Sequence, residues 1–386
     1  MFTRSDGLPG VPGVASSLPF RLSRTFGGKS THPAMRIAQV SPLFESVPPQ
    51  AYGGTERVVA FLTDELVRQG HDVTLFASGD SVTNAELVPI CPRSLRLDPE
   101  CIDSIAHHVL MLERVYAAAN RFDILHYHID YLHFPVSRRM SRPHVTTLHG
   151  RLDIPDLQPL YDEFRDIPVV SISDAQREPL PQANWQATVY HGLPPDLFSA
   201  RTEPGEYLAF LGRISKEKRV DRAIEIARRV GLPLRIAAKI DDADRAYFEA
   251  EIAALFELPF VDYIGEIGEA DKQDFLGRAQ ALLFPIDWRE PFGLVMIEAM
   301  ACGTPVVAWG EGSVSEVLTD GVSGFIVDNI DAAVQATRQT ASMDRAACRR
   351  AFDARFTVER MATDYLRIYQ QLVDAHSSPR ALAHVG

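Results

Sequence analysis

Short apolar runs alternate with longer amphipathic stretches from Met35 almost to the end of the chain. Runs at 35–41, 72–77, 85–90, 123–128, 145–149, 169–173 and 187–191 predict one set of strands. Runs at 207–212, 234–238, 261–265, 281–284 and 304–308 predict a second set, which 311–318 and 323–327 complete. Helices are expected from the Gly53-Gly54 loop to about 69, over 102–120, 220–230 and 292–302, and from 331 and 357 onward. Buried strands alternating with helices imply parallel sheets covered on both faces. Pro194-Pro195 and Gly205 bound a stretch that reads as a linker between the two sets. Residues 1–34 are rich in Gly, Pro and Ser and carry no apolar period, so they read as a disordered extension or as sequence upstream of a true start at Met35.

One stretch concentrates the candidate chemistry, Asp287 to Val307, reading D-W-R-E-P-F-G-L-V-M-I-E-A-M-A-C-G-T-P-V-V. A polar, Pro-broken loop leads into a helix that opens at Phe292-Gly293-Leu294 and stops at Gly303 and Pro305. Unpaired amides and the positive end of the helix dipole favour an anion, and Gly293 lets a ligand approach the backbone. Glu290 and Glu298 bracket that anion site. Carboxylates are poor phosphate ligands but accept hydrogen bonds well from sugar hydroxyls. A phosphate flanked by polyols describes a nucleotide sugar. A lone Glu at a helix start would more simply be a cap, but Glu298 inside the apolar run L-V-M-I-E-A-M-A needs a stronger reason.

Glu290 and Glu298, seven residues between them within E-P-F-G-L-V-M-I-E-A-M-A-C-G-T-P-V-V, resemble the signature of family 4 retaining glycosyltransferases. The resemblance extends from about Met35 to the last helix. It implies the GT-B architecture, two Rossmann-like domains facing across a cleft. On that architecture residues 35–193 form the acceptor domain, 194–206 the linker, 207–356 the donor domain, and 357–375 a helix that crosses back onto the first domain. Around Tyr52 to Glu56, in Y-H-I-D-Y and in H-G-R-L-D, the sequence is similar to a bacterial branch of natural-product and polysaccharide glycosylation.

The remaining site residues follow strand ends, where open parallel sheets gather ligands. Gly53-Gly54, a weak turn signal alone, is placed by the resemblance over the donor diphosphate. Arg213 and Lys218 in G-R-I-S-K-E-K can neutralise a diphosphate leaving group, whereas Lys216 and Arg219 read as solvated. In relatives the backbone at Gly265 and Ile267 meets the base, and a histidine at the place of His149 contacts the hexose. His126, His128 and His191 also stand at strand ends. His128 and Asp130 are assigned to the acceptor side, while His191 stands where relatives carry Asn-Gly and an acid.

Composition narrows the partners. A net charge of −12 argues against nucleic acid. Arg138-Arg139 with Arg142 reads as a solvated face, with the inner membrane surface as the alternative contact. No apolar run reaches the roughly 20 residues of a membrane span, and four scattered cysteines suit a reducing cytoplasm. The chain is read as lacking an Asp-x-Asp element, so no catalytic metal or cofactor is expected beyond the nucleotide diphosphate sugar itself. The acceptor is a hydroxyl on a glycan, a lipid-linked sugar or a small molecule. A GT-B phosphorylase or epimerase and a catalytically idle nucleotide-sugar sensor are the alternatives. Without a G-x-G-x-x-G turn followed by an acid, an oxidoreductase is disfavoured.

Overall fold

The structure, a computed structural model, describes residues 33–50 and 53–377. The proposed extension therefore lies outside the described residues except for its last two positions, as does Tyr52.

Two parallel sheets account for the strands. The first is built from β1 (Arg36–Val40), β2 (Asp72–Ala77), β3 (Glu86–Pro89), β4 (Ile124–Tyr127), β5 (His144–Thr147), β6 (Pro168–Ser171) and β7 (Asn184–Thr188). Its order is β3-β2-β1-β4-β5-β6-β7. The second contains β8 (Tyr207–Arg213), β9 (Leu234–Lys239), β10 (Val261–Gly265), β11 (Ala279–Phe284), β12 (Val306–Trp309) and β13 (Gly324–Val327), in the order β10-β9-β8-β11-β12-β13. In each sheet the order reverses direction once, between β1 and β4 and between β8 and β11. Such switch points open a crevice at the carboxyl ends of the strands.

The elements follow from the apolar pattern. All of β11, Ala-Gln-Ala-Leu-Leu-Phe, is buried, as expected of a central strand with helices on both faces. Helix Val220–Val230 buries Val220, Ala223, Ile224, Ile226 and Ala227 at helical spacing, and Gly231 in the left-handed region ends it. The last helix, Val358–Ser377, buries Met361, Ala362, Tyr365, Leu366 and Tyr369 against Ile37, Val145 and Val170 of the first sheet. It thus crosses back from the second sheet to the first. Both crossings meet at one point, where Leu193 N–H donates to Phe356 O (2.9 Å) and Val358 N–H to Leu193 O (2.9 Å). A Cβ on Gly192 would lie 2.3 Å from Thr357 O, so no larger residue fits there.

Three expectations shift. Residues 311–318 are not a strand: Val314–Val317 is a short helix, and Ser313 is held by its N–H on Glu290 O (3.0 Å) and its hydroxyl on Phe292 O (2.9 Å). β7 occupies Asn184–Thr188, earlier than the apolar run suggested, because it is the half-buried edge strand and Val189 is buried beyond its end. Helices Arg345–Arg355, Glu269–Gly277 and Leu157–Glu163 were missed, their charged faces masking short apolar stripes.

Candidate active site

Between the carboxyl ends of the two sheets lies a cavity of about 760 Å³. Its wall follows the switch points, with Gly53 after β1, His128 after β4, Arg213 at the end of β8 and Glu290 after β11. Two helices point their N-termini into it, Gly54–Arg68 from the first sheet and Leu294–Ala301 from the second. A Cβ on Gly54 would lie 3.6 Å from Leu294 Cδ1, so the two N-termini face each other closely. Neither helix has a side-chain cap, which leaves first-turn amides for an anion. Gly293 takes φ +80°, and a Cβ there would meet Met296 Cε at 2.8 Å. The left-handed backbone at this entry favours glycine.

Two cations stand beside these N-termini. Arg213 reaches Glu217 Oε1 (3.0 Å) and Asp244 Oδ2 (3.2 Å). Lys218 pairs with Glu290 and sits 4.9 Å from the centre of the Trp288 ring, while Trp288 Nε1–H donates to Glu290 (3.0 Å). Lys218, Glu290 and Trp288 therefore form one unit. Arg219 is not simply solvated: it takes a left-handed φ of 55° and pairs with Asp221 and Asp287.

Glu298 is buried at 2% exposure, with Lys272 Nζ 2.5 Å and Arg57 Nη1 3.6 Å away. Burial alone would raise its pKa, yet Lys272 and Arg57 outweigh that and hold the carboxyl below its usual range. Arg57 also meets Glu269 at 2.7 Å, which ties the first-sheet helix to the second domain. A carboxylate offers about four lone-pair sites, and both cations approach Oε1, which leaves capacity on Oε2 for sugar hydroxyls.

On the opposite wall His149 Nε2 lies 2.9 Å from His128 Nδ1, and its ring stacks on His191 at 5.3 Å. Burial pushes the His149 pKa down to about 3, so its ring is neutral. His126, by contrast, lies wholly inside the protein, bonded to Tyr369 and Thr147. Asp130 lines the cavity at an exposed, left-handed position (φ 50°).

The structure gathers Gly53, Gly54, His128, Asp130 and His149 on one wall of this cavity. Arg213, Lys218, Ile267, Glu290 and Glu298 stand on the other, with Phe292, Gly293 and Leu294 at the helix start. Gly265 is not on the wall; Glu266 and Ile267 are, since Gly265 supplies the turn (φ +77°) that follows β10. Lys272, Arg57 and Trp288 line it too and were missed, because in E-A-D-K-Q, T-E-R-V-V and D-W-R they look like surface residues. The basic patch is engaged: Arg138 pairs with Glu163 and Asp166, and Arg142 bonds Asn120.

Contrary to expectation, the chain does contain an Asp-x-Asp element, Asp242-Ala243-Asp244. Its carboxylates face arginines, Asp244 toward Arg213 and Asp242 toward Arg245 at 3.1 Å. Among the described residues no group of three or more His, Cys, Asp or Glu is placed to hold a metal ion.

Residues 198–350 match the family model of glycosyl transferases group 1, and residues 52–186 match that of glycosyltransferase family 4. The chain belongs to the family 4 glycosyltransferases. It is 27% identical over 352 residues to a phosphatidyl-myo-inositol mannosyltransferase of Propionibacterium freudenreichii, covering 81% of this chain and 87% of that one. It is 29% identical over 213 residues to a D-inositol 3-phosphate glycosyltransferase of Mycolicibacterium smegmatis, covering 52% and 47%. The fold is that of AviGT4, a glycosyltransferase of avilamycin A biosynthesis (TM-score 0.69, 24% identity, 88% of this chain and 98% of that one). Sucrose-phosphate synthase of Thermosynechococcus elongatus shares it too (TM-score 0.72, 18% identity, 88% and 99%). These are two-domain GT-B proteins, and the two sheets here form that architecture. No helix among the described residues is long and apolar enough to cross a membrane.

Proposed function

We propose that this glycosyltransferase moves a hexose from a nucleoside diphosphate donor to a hydroxyl acceptor with retention at the anomeric carbon. One observation carries the reading: two uncapped helix N-termini, Arg213 and Lys218 converge on one cavity with carboxylates on one side and histidine on the other. The amides of both helices and the two cations take the diphosphate. Glu298 accepts from the ribose, and Glu290 with His149 orients the hexose. The anomeric carbon–oxygen bond to the diphosphate breaks, a bond to the acceptor oxygen forms on the same face, and the acceptor proton passes to the departing diphosphate oxygen. Arg213 and Lys218 stabilise the charge that grows there, the place a metal holds in other transferases. A structure of Anabaena HepE with UDP-glucose (TM-score 0.63, 17% identity) supports a nucleotide sugar as the donor class to test first. The names of the curated relatives make cyclitol hydroxyls the first acceptors to test.

Thermal shift across nucleoside diphosphates and their sugars tests binding, since a ligand selective for the folded state raises Tm. Proton NMR of the product then gives its anomeric configuration, expected to match the donor. No shift with any nucleotide overturns the donor site, and an inverted product overturns retention. Turnover should survive a chelator. Transfer to inorganic phosphate or an epimerised sugar would mark the phosphorylase or epimerase, and binding without turnover the sensor.

A further inference from the structure

A continuous chain of hydrogen bonds runs from the cavity into the body of the first domain and ends on the crossover helix. His149 Nε2 meets His128 Nδ1 at 2.9 Å, and His128 Nε2 meets Gln39 Oε1 at 2.8 Å. Gln39 Nε2–H donates to Tyr369 Oη at 3.2 Å, and that hydroxyl lies 2.7 Å from His126 Nδ1. His126 Nε2 then meets Thr147 Oγ1 at 2.8 Å, which meets the Tyr365 hydroxyl at 2.8 Å. Gln39, His126, His128 and Tyr369 are each no more than 2% exposed. Topology explains the meeting: Gln39 on β1 is in register with His126 on β4, and the crossover helix lies over that pair. So polar a line through a buried core is costly unless every atom is partnered.

At the cavity end one atom is not. His149 Nδ1 is shielded from solvent and has no hydrogen-bond partner. What it offers depends on which way the chain is polarised. The Gln39 carbonyl accepts from His128 Nε2–H, so the neutral His128 has a lone pair at Nδ1. That lone pair takes the proton of His149 Nε2–H, and His149 Nδ1 is left as an acceptor. Reversing the Gln39 amide would reverse every bond toward the cavity and bury an N–H at His149 with no acceptor, the rarer kind of orphan. We propose that Gln39, held by Tyr369 of the crossover helix, fixes His149 in the tautomer protonated on Nε2 and so leaves Nδ1 as the acceptor atom of that ring. Burial supports this by keeping His126 and His128 well below their usual pKa and so neutral.

The tautomer follows from this chain's own hydrogen bonds, and its bearing on turnover rests on the proposed placement of His149 at the donor sugar. Gln39, His128 and Tyr369 are positioning residues that act through His149.

The test needs no substrate at first. In the full chain labelled with nitrogen-15 histidine, His149 is assigned by the resonance lost in His149→Gln. At neutral pH it should show the neutral ring with the proton on Nε2. Gln39→Leu should mix the tautomers, whereas Gln39→Glu, whose carboxylate can only accept, should keep the His128 Nε2–H bond and the tautomer. A charged His149 ring, a proton on Nδ1, or a tautomer unmoved by Gln39→Leu overturns the proposal. If Gln39→Leu does not fold, Tyr369→Phe removes the hydroxyl that holds the amide and should mix the tautomers instead; an unmoved tautomer there overturns it equally. In turnover Gln39→Leu should lower kcat about tenfold or more, the scale of a lost orienting bond, with nucleoside diphosphate affinity unchanged and Gln39→Glu restoring rate. The parent tautomer is read without any sugar, so a correct tautomer in a chain that transfers nothing would sink the functional reading and leave this one standing.

Discussion

Lys272 and Glu298 form a buried ion pair, 2.5 Å from Nζ to Oε1, in the wall of the cavity. Both residues are nearly inaccessible, at 4% and 2% exposure, and Arg57 of the other domain approaches the same carboxylate. The group assigned to the donor ribose is thus also a structural tie between the halves of the protein. Removing one partner of a buried pair typically costs about 3–5 kcal/mol, because the other charge is left uncompensated.

Glu298→Gln should therefore act twice. It should lower the melting temperature by stranding Lys272, and it should weaken the donor by about 1.5–3 kcal/mol through the lost charged acceptor. Calorimetry and thermal unfolding on the same sample separate the two. Unchanged donor affinity in a destabilised protein would leave Glu298 with the structural role alone.

Lys218→Ala should depress turnover more than donor binding, since charge on the diphosphate grows as the glycosidic bond breaks. Losses on the order of 10²–10³ in kcat are typical of such electrostatic sites. A raised Michaelis constant with turnover intact would instead make Lys218 uniform binding energy. Near-normal kinetics would remove this lysine from the leaving-group site.

Acid should destabilise the fold from about pH 6.5 downward, the free histidine value. His149 titrates near 3 in the folded chain, and burial holds His126, His128, His133 and His191 well below their usual range. Below that free value only the unfolded chain takes up these protons, so stability is fully present above it and falls with pH toward the folded values. Each such histidine withdraws up to about 1.4 kcal/mol per pH unit in that window. Urea unfolding at neutral and mildly acidic pH checks this; a flat profile across the window would show that the rings are protonated in the fold.

Gly293→Ala should destabilise the protein. The left-handed backbone costs a side-chain-bearing residue about 1–2 kcal/mol, and its Cβ would press on Met296 and Phe284. The thermal melt reads the loss, and donor affinity should fall with it because the helix entry shifts. An unchanged melt would mean that the entry adjusts without strain.

Much of the fold was legible because it rests on local rules. The run at 72–77 and the helix at 220–230 became β2 and Val220–Val230, since a buried parallel strand must be apolar and a covering helix must carry one apolar face. The wall of the cavity was legible for a related reason. His128, His149, Arg213 and Glu290 follow strand ends, and open sheets put their ligands there.

Other features exist only once the chain is closed. Lys272 sits in a helix whose charges look solvated, and it is a buried partner of Glu298 only because two helices of the second domain pack beside each other. Gln39 is one polar residue in a strand, and nothing near it in sequence announces His128 or Tyr369. Adjacent strand registers and a helix returning from the far end of the chain bring the three together. Sequence by itself determined the alternation of elements, the strand ends and the glycine that opens the helix at the cavity, because those depend on residues close along the chain. Tertiary structure alone decided which charges are buried together and which way the imidazole of His149 is held, because those depend on groups that meet only across the sheets.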